Sequence, residues 1–289
     1  MKLGNSLLLL LIVSVSGCIS QTETEADKEV EVPHIPGEPA IIVPHTQGER
    51  DIREIMEEGK QSAEFDIENE EIPKFVDENF IELDKIKSIS KFRGGYGHDF
   101  SAGTGESCRS MKHYFWPAWG EHGKTHNPSW MSIEYYSPVD GVIEELQYRE
   151  NAYGTEAQFH IVPDEEPAFL LRFFHLKLLD SLGEGSRVSA GQKIGTIGDE
   201  NSHAEIAVEL MIPDGSTIIS FFQIMSDSVF EEYAERGMTS REDVIISKEE
   251  RDADPLECDY STEAGYFVGR GTEKYDRWST SSANWLMLN

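Results

Sequence analysis

Basic residues are scarce in this 289-residue chain. Its 25 Lys and Arg face 54 Asp and Glu, a formal charge of −29. That balance excludes a basic surface of the kind that grips nucleic acid or anionic lipid headgroups. The acids are spread along the chain, which fits solubility better than a single acidic binding site. Cysteine is also scarce, at three residues. Long apolar runs are missing apart from Leu7 to Val15, which is too short to span a bilayer. No Gly-x-Ser-x-Gly elbow, phosphate-cradling loop or solenoid-period repeat occurs.

What is present begins with a leader. Lys2 followed by the apolar run reads as an export signal over residues 1–17, and Val15-Ser16-Gly17-Cys18 reads as a lipobox in which Cys18 is lipidated. The alternative is an ordinary signal peptide with a chance Cys. The expected location is extracytoplasmic, with the chain held to the membrane through Cys18. Residues 18–48 are acidic and proline-bearing and read as a tether. Removing Cys18 from the count leaves Cys108 and Cys258. In an oxidising compartment these could pair, closing a long loop worth roughly 4 to 5 kcal/mol; the alternative is two separate buried thiols.

Residues 49–91 read as an N-terminal helical and mixed segment, with an amphipathic helix over about 49–64. Residues 92–225 are β-rich, with short strands punctuated by Gly, Pro and Asn/Asp turns. Residues 226–289 read as a helical extension and tail, with Ser228 as a candidate N-cap, Gly237 as a stop, and a capping pattern at Ser240 and Asp243 ahead of Pro255. The fold class is therefore mainly β with a C-terminal α-helical extension. In 203–210, His203, Glu205, Ala207 and Glu209 alternate with Ala204, Ile206, Val208 and Leu210, the pattern of a strand with one open face. On Phe169–Leu176 the same period puts His175 on the face of Phe173.

Three segments in order carry a resemblance: GGYGHDFSAG (94–103), SPVDGVIEEL (137–146) and FFHLKLLDSLGEGSRVSAGQKIGTIGDENSHAEIAVEL (173–210). Together they resemble the antiparallel β-core of lysostaphin-type (LytM-like) zinc endopeptidases, a core with lipoyl-like hairpins. Gly185, Val188, Gly191, Ile194 and Gly195 would form its glycine-turned hairpin. The segments GHD and CRSMKHYF also resemble those of a group of exported lipoproteins. The resemblance implies catalytic histidines at His175 and His203 and metal ligands at Asp99 and Glu205. Gly95 stands where the family has its first ligand His, and Glu205 where it has its last. His98, beside Asp99, could fill the vacancy through a local bulge. Two carboxylates without imidazole suit Ca²⁺, Mg²⁺ or Mn²⁺ better than Zn²⁺. A divalent ion is thus the candidate cofactor, with a zinc set broken.

The stretch 108–132 reads as an insertion. His113, His122 and His126 within it read as separate surface groups, the alternative being a metal shared by His122 and His126 on a helical turn, and Tyr114, Phe115, Trp116, Trp119 and Trp130 as a lid over the sheet or a groove for sugar or peptide. The functional expectation is a non-catalytic core that binds a surface polymer or a partner protein. The alternative is a metal-dependent endopeptidase or cell-wall hydrolase with an unusual ligand set.

Overall fold

A computed structural model describes residues 63–118, 128–151, 154–198, 203–261, 265–268 and 282–289. The leader, Cys18, the tether and most of the expected helix over 49–64 lie outside the described residues, as do Trp119, His122 and His126. No described helix is long and apolar enough to cross a membrane.

The architecture is one large antiparallel sheet. Its strands are β1 (Ile86–Ser90), β2 (His113–Pro117), β3 (Glu134–Tyr136), β4 (Gly141–Asn151), β5 (Gly154–Pro163), β6 (Phe169–Leu178), β7 (Arg187–Val188), β8 (Lys193–Ile197), β9 (Ala204–Ile212), β10 (Gly215–Ile219) and β13 (Trp285–Met287). They run in the order β13-β1-β2-β9-β6-β5-β4-β7. The far half of β6 pairs with β8, and β8 also pairs with β3. A small hairpin of β11 (Cys258–Asp259) and β12 (Tyr266–Phe267) stands apart.

One face of the sheet carries the main hydrocarbon core. Phe80 meets Phe115 edge-on at 4.8 Å and Phe221 at 5.4 Å, with Phe173, Tyr135, Ile206 and Val208 beside them. The other face carries a smaller cluster of Phe92, Met111, Phe174, Ala207 and Ile218. The alternation read at 203–210 is thus real, but the face called open is buried, because residues 92–112 fold over it.

Several expectations change in detail. Gly185 and Gly191 do turn the chain at positive φ and Val188 and Ile194 are buried, yet β7 pairs with β4 rather than with β8, so the glycine-rich stretch is not a hairpin. Gly195 serves a close approach instead: a Cβ there would lie 2.5 Å from the Lys177 carbonyl oxygen. The C-terminal part is not an all-helical extension. It holds the short helices α1 (Phe221–Ile224), α2 (Asp227–Ala234) and α3 (Lys248–Ala253). Ser226, not Ser228, caps α2. The Ser240/Asp243 capping box is present, but it opens a 3-10 turn at Arg241–Val244, and Ser247 caps α3 separately. The tail then returns as β13 to pair with β1, so the sheet extends on both sides of 92–225.

The stretch read as an insertion contains β2, which lies in the middle of the sheet between β1 and β9. Tyr114, Phe115 and Trp116 are therefore strand residues in the core rather than a lid or groove, His113 at the start of β2 is buried rather than a surface group, and Trp130 packs against Trp116 at 5.0 Å.

Candidate functional site

Glu205 is flanked in the sheet by Tyr114 of β2 and Phe174 of β6, and it is buried. An ionised carboxylate there costs several kcal/mol unless a charge meets it. The charge is Lys112. Its ammonium donates to Glu205 Oε2 and is itself only 3% exposed. Three aromatic rings box the ammonium: Phe174 at 4.4 Å, Phe100 at 4.9 Å and Tyr114 at 5.0 Å from Nζ. Burial pushes the Glu205 carboxyl up, but Lys112 and then His175 outweigh it and hold it below the usual carboxylate range.

His175 reaches the same cluster through a backbone irregularity. Its φ of +58° lies in the left-handed region, and the β5–β6 register shifts beside it. Phe173 and Leu176 consequently both face the main core, while His175 leaves the Phe173 face on which simple alternation had placed it. Its Nδ1 lies 2.5 Å from Glu156 Oε2 and its Nε2 3.7 Å from Glu205 Oε1. Burial alone would lower its pKa, but Glu205 and Glu156 together raise it. The result is an unbroken chain of groups, Glu156–His175–Glu205–Lys112. It is neutral overall when His175 carries its proton.

Asp99 is elsewhere engaged. Its Oδ1 accepts from the Ser101 amide (3.1 Å), the Ser101 hydroxyl (2.5 Å) and the Arg109 amide (3.2 Å), and its Oδ2 accepts from the Tyr260 hydroxyl (2.8 Å). The Tyr260 segment is fastened here by the Cys108–Cys258 disulfide, with Cα atoms 5.7 Å apart. That settles the cysteine pairing in favour of the bridge. The Asp99 amide donates to the Gly265 carbonyl at 2.9 Å, and His98 forms a β-bridge with Tyr266.

His98 is not swung toward a vacant ligand place. Its Nδ1 lies 2.7 Å from the Asp99 carbonyl oxygen and its ring stands against Phe100 and Tyr266. Burial first, and Lys112 second, lower its pKa. Gly95 offers only its amide, which donates to Asn284 Oδ1 at 2.6 Å. Gly97 has a φ of +80°, and a Cβ there would lie 2.1 Å from the Tyr114 hydroxyl, so that ring fills the space a side chain would need. His203 packs on Trp116 with ring centroids 4.6 Å apart, and its Nε2 lies 2.9 Å from the Tyr96 hydroxyl.

The structure thus brings His175 and Glu205 together and holds Asp99 in its own turn. A catalytic zinc takes about three protein ligands, imidazoles prominent among them. The donors present do not fit one: Gly95 has no side chain, both Asp99 oxygens are taken, and Glu205 is neutralised by an ammonium. Among the described residues, no three His, Cys, Asp or Glu side chains form a group able to hold a metal ion. Two members of the cluster were not singled out from sequence. Lys112 was hidden in the stretch read as an insertion, although Lys112, Tyr114 and Trp116 do alternate. Glu156 showed no local signal beyond its place in a strand.

No protein-family model matches the chain, and no curated protein does. Among solved structures the neighbours include LytM- and lysostaphin-type domains. A LytM-type protein from Ruminococcus gnavus is similar over 36% of this chain and 43% of its own length, at 16% identity and a TM-score of 0.26. The catalytic domain of lysostaphin from Staphylococcus simulans is similar over 47% of this chain and 90% of its own, at 16% identity and a TM-score of 0.29. A chain of the SpoIIQ–SpoIIIAH pore-forming complex is similar over 57% of this chain and 99% of its own, at 11% identity and a TM-score of 0.32. At these TM-scores the likenesses carry no argument about the fold, which rests on the strand pairing described above. Likeness this distant carries no activity across, so the chemistry rests on the side chains.

Proposed function

We propose that this is an exported lipoprotein, tethered through Cys18, whose peptidase-like β-core binds a cell-surface polymer or a partner protein without hydrolysing it. One observation carries the reading: the buried ammonium of Lys112 sits on Glu205, the residue at the position where the resembled family has its last zinc ligand. A cation seated there supplies the charge that Glu205 needs, and it repels a second one. An ammonium also lacks what a hydrolytic metal provides, an open coordination site and an activated water. The tied carboxylate of Asp99 and the bare Gly95 support the same conclusion. The test incubates the protein with isolated cell envelopes. The expected result is co-sedimentation with no release of new amino termini. Release that disappears in His175→Ala would overturn it.

The Glu156–His175 pair favours one second reading, a metal-dependent endopeptidase with an unusual ligand set. A carboxylate behind Nδ1 orients an imidazole and raises its basicity, as general bases require. In that case added Zn²⁺, Mn²⁺ or Ca²⁺ would evoke cleavage, and Lys112→Met would increase it.

A further inference from the structure

The same sheet face continues away from Lys112 across β6, β5 and β4 and ends in a small cavity of about 90 Å³ lined by Glu145, Gln147, Arg149, Gln158, His160 and Arg172 beside three Phe rings. Of the polar side chains among them, all but Glu145 can donate a hydrogen bond, and Glu145 itself is turned to His160. Gln147 and Gln158 are direct cross-strand partners, as are His160 and Arg172, so the donors converge because the register places them side by side. Arg172 is held in place by Glu209 at 3.1 Å and by the rings of Phe100 and Phe174, at 5.6 and 5.8 Å. His160 Nδ1 lies 3.5 Å from Glu145 Oε2. Those two acids engage Arg172 and His160. The side chains of Arg149, Gln147 and Gln158 have no hydrogen-bond or ion-pair partner among the described residues.

Such a collection is out of character for the chain. A net charge of −29 repels anions from most of its surface, so donors and guanidinium groups converging on one cavity need a reason. A carboxylate or phosphate group fits within that volume. Guanidinium is the side chain best matched to those oxyanions, through its fork of parallel N–H donors.

We infer that this cavity is an oxyanion subsite, which takes a carboxylate or phosphate group of an anionic ligand between Arg149, Arg172 and the Gln147/Gln158 amides. The inference deepens the binding reading by naming the ligand's charge, and it rests on that reading only for the claim that the ligand is bound and left intact.

The experiment titrates the full-length chain by calorimetry with two probes of matched charge density, a polyglycerol phosphate and a polyglutamate. Wild type is compared with Arg149→Gln and Arg149→Lys. Arg149 is exposed and unpaired, so its replacement leaves the fold intact. Binding of the phosphate polymer that weakens at least tenfold in Arg149→Gln and recovers in part in Arg149→Lys confirms the subsite and names a phosphodiester. The same pattern with polyglutamate confirms it and names a carboxylate. Binding of neither probe, or binding indifferent to Arg149, overturns it. A peptide bond cut by wild type in a parallel assay would sink the non-hydrolytic reading while leaving the Arg149 result to stand or fall alone.

Discussion

His113 and His175 lie on strands that both pair with β9, and their surroundings push them in opposite directions. His113 shares the face of Ile206, its direct partner, and sits between the rings of Phe92 and Phe222. Only neutral groups meet its nitrogens: the Ser90 carbonyl at 2.8 Å and the Ser220 hydroxyl at 2.7 Å. Complete burial lowers its pKa to about 4, so it is an uncharged part of the core. His175 faces two carboxylates, and they hold its proton on. The two faces of one sheet thus solve burial differently, one by removing charge and the other by balancing it. On the balanced face the carboxylates of Glu205 and Glu156 are met by Lys112 and His175.

Breaking the hydrocarbon face should cost most. Phe173→Ala, at the junction of Phe80, Tyr135 and Phe159, is expected to destabilise by about 4 kcal/mol in a denaturant melt. On the charged face, Lys112→Met leaves Glu205 buried and unpaired and should cost about 3 kcal/mol, while Lys112→Met combined with Glu205→Leu should recover most of the loss. A double variant as unstable as the single would show that Lys112 acts by packing and not by charge.

Acid sharpens the contrast. The folded pKa of His113, about 4, lies below its ordinary value of 6.5. The unfolded chain therefore binds the proton first, and stability falls as the pH drops from about 6.5, by about 3 kcal/mol at pH 4. His175 has the reverse sign: its contribution is full below the unfolded value and is lost as the pH rises through the raised folded value. Imidazole signals followed by NMR should show His175 titrating above 6.5 and His113 well below, with Glu156→Gln lowering only the former. The smallest effect belongs to the clasp over Asp99: Tyr260→Phe removes one partly exposed hydrogen bond and should cost about 1 kcal/mol by chemical denaturation.

Much of the β-core was legible from sequence. Period-two alternation located β9, glycines at 185 and 191 marked turns that the structure confirms, and the parity of the cysteines pointed to Cys108–Cys258. The charged cluster was harder to read. A left-handed residue inside a strand, as at His175, reverses every face beyond it, and no neighbouring Gly or Pro announced it. Lys112 was missed because a stretch of alternating aromatics bounded by Gly and Pro resembles a surface insertion as much as a central strand. Only the pairing of β2 with β9, more than ninety residues apart in sequence, shows which carboxylate it meets.

The most direct measurement is the metal content of the purified protein by mass spectrometry after exhaustive dialysis, with Glu205→Ala beside it. If Lys112 supplies the charge at Glu205, neither protein retains a stoichiometric transition metal. One zinc per chain in the wild type, lost in Glu205→Ala, would contradict the account and return the chain to the hydrolases.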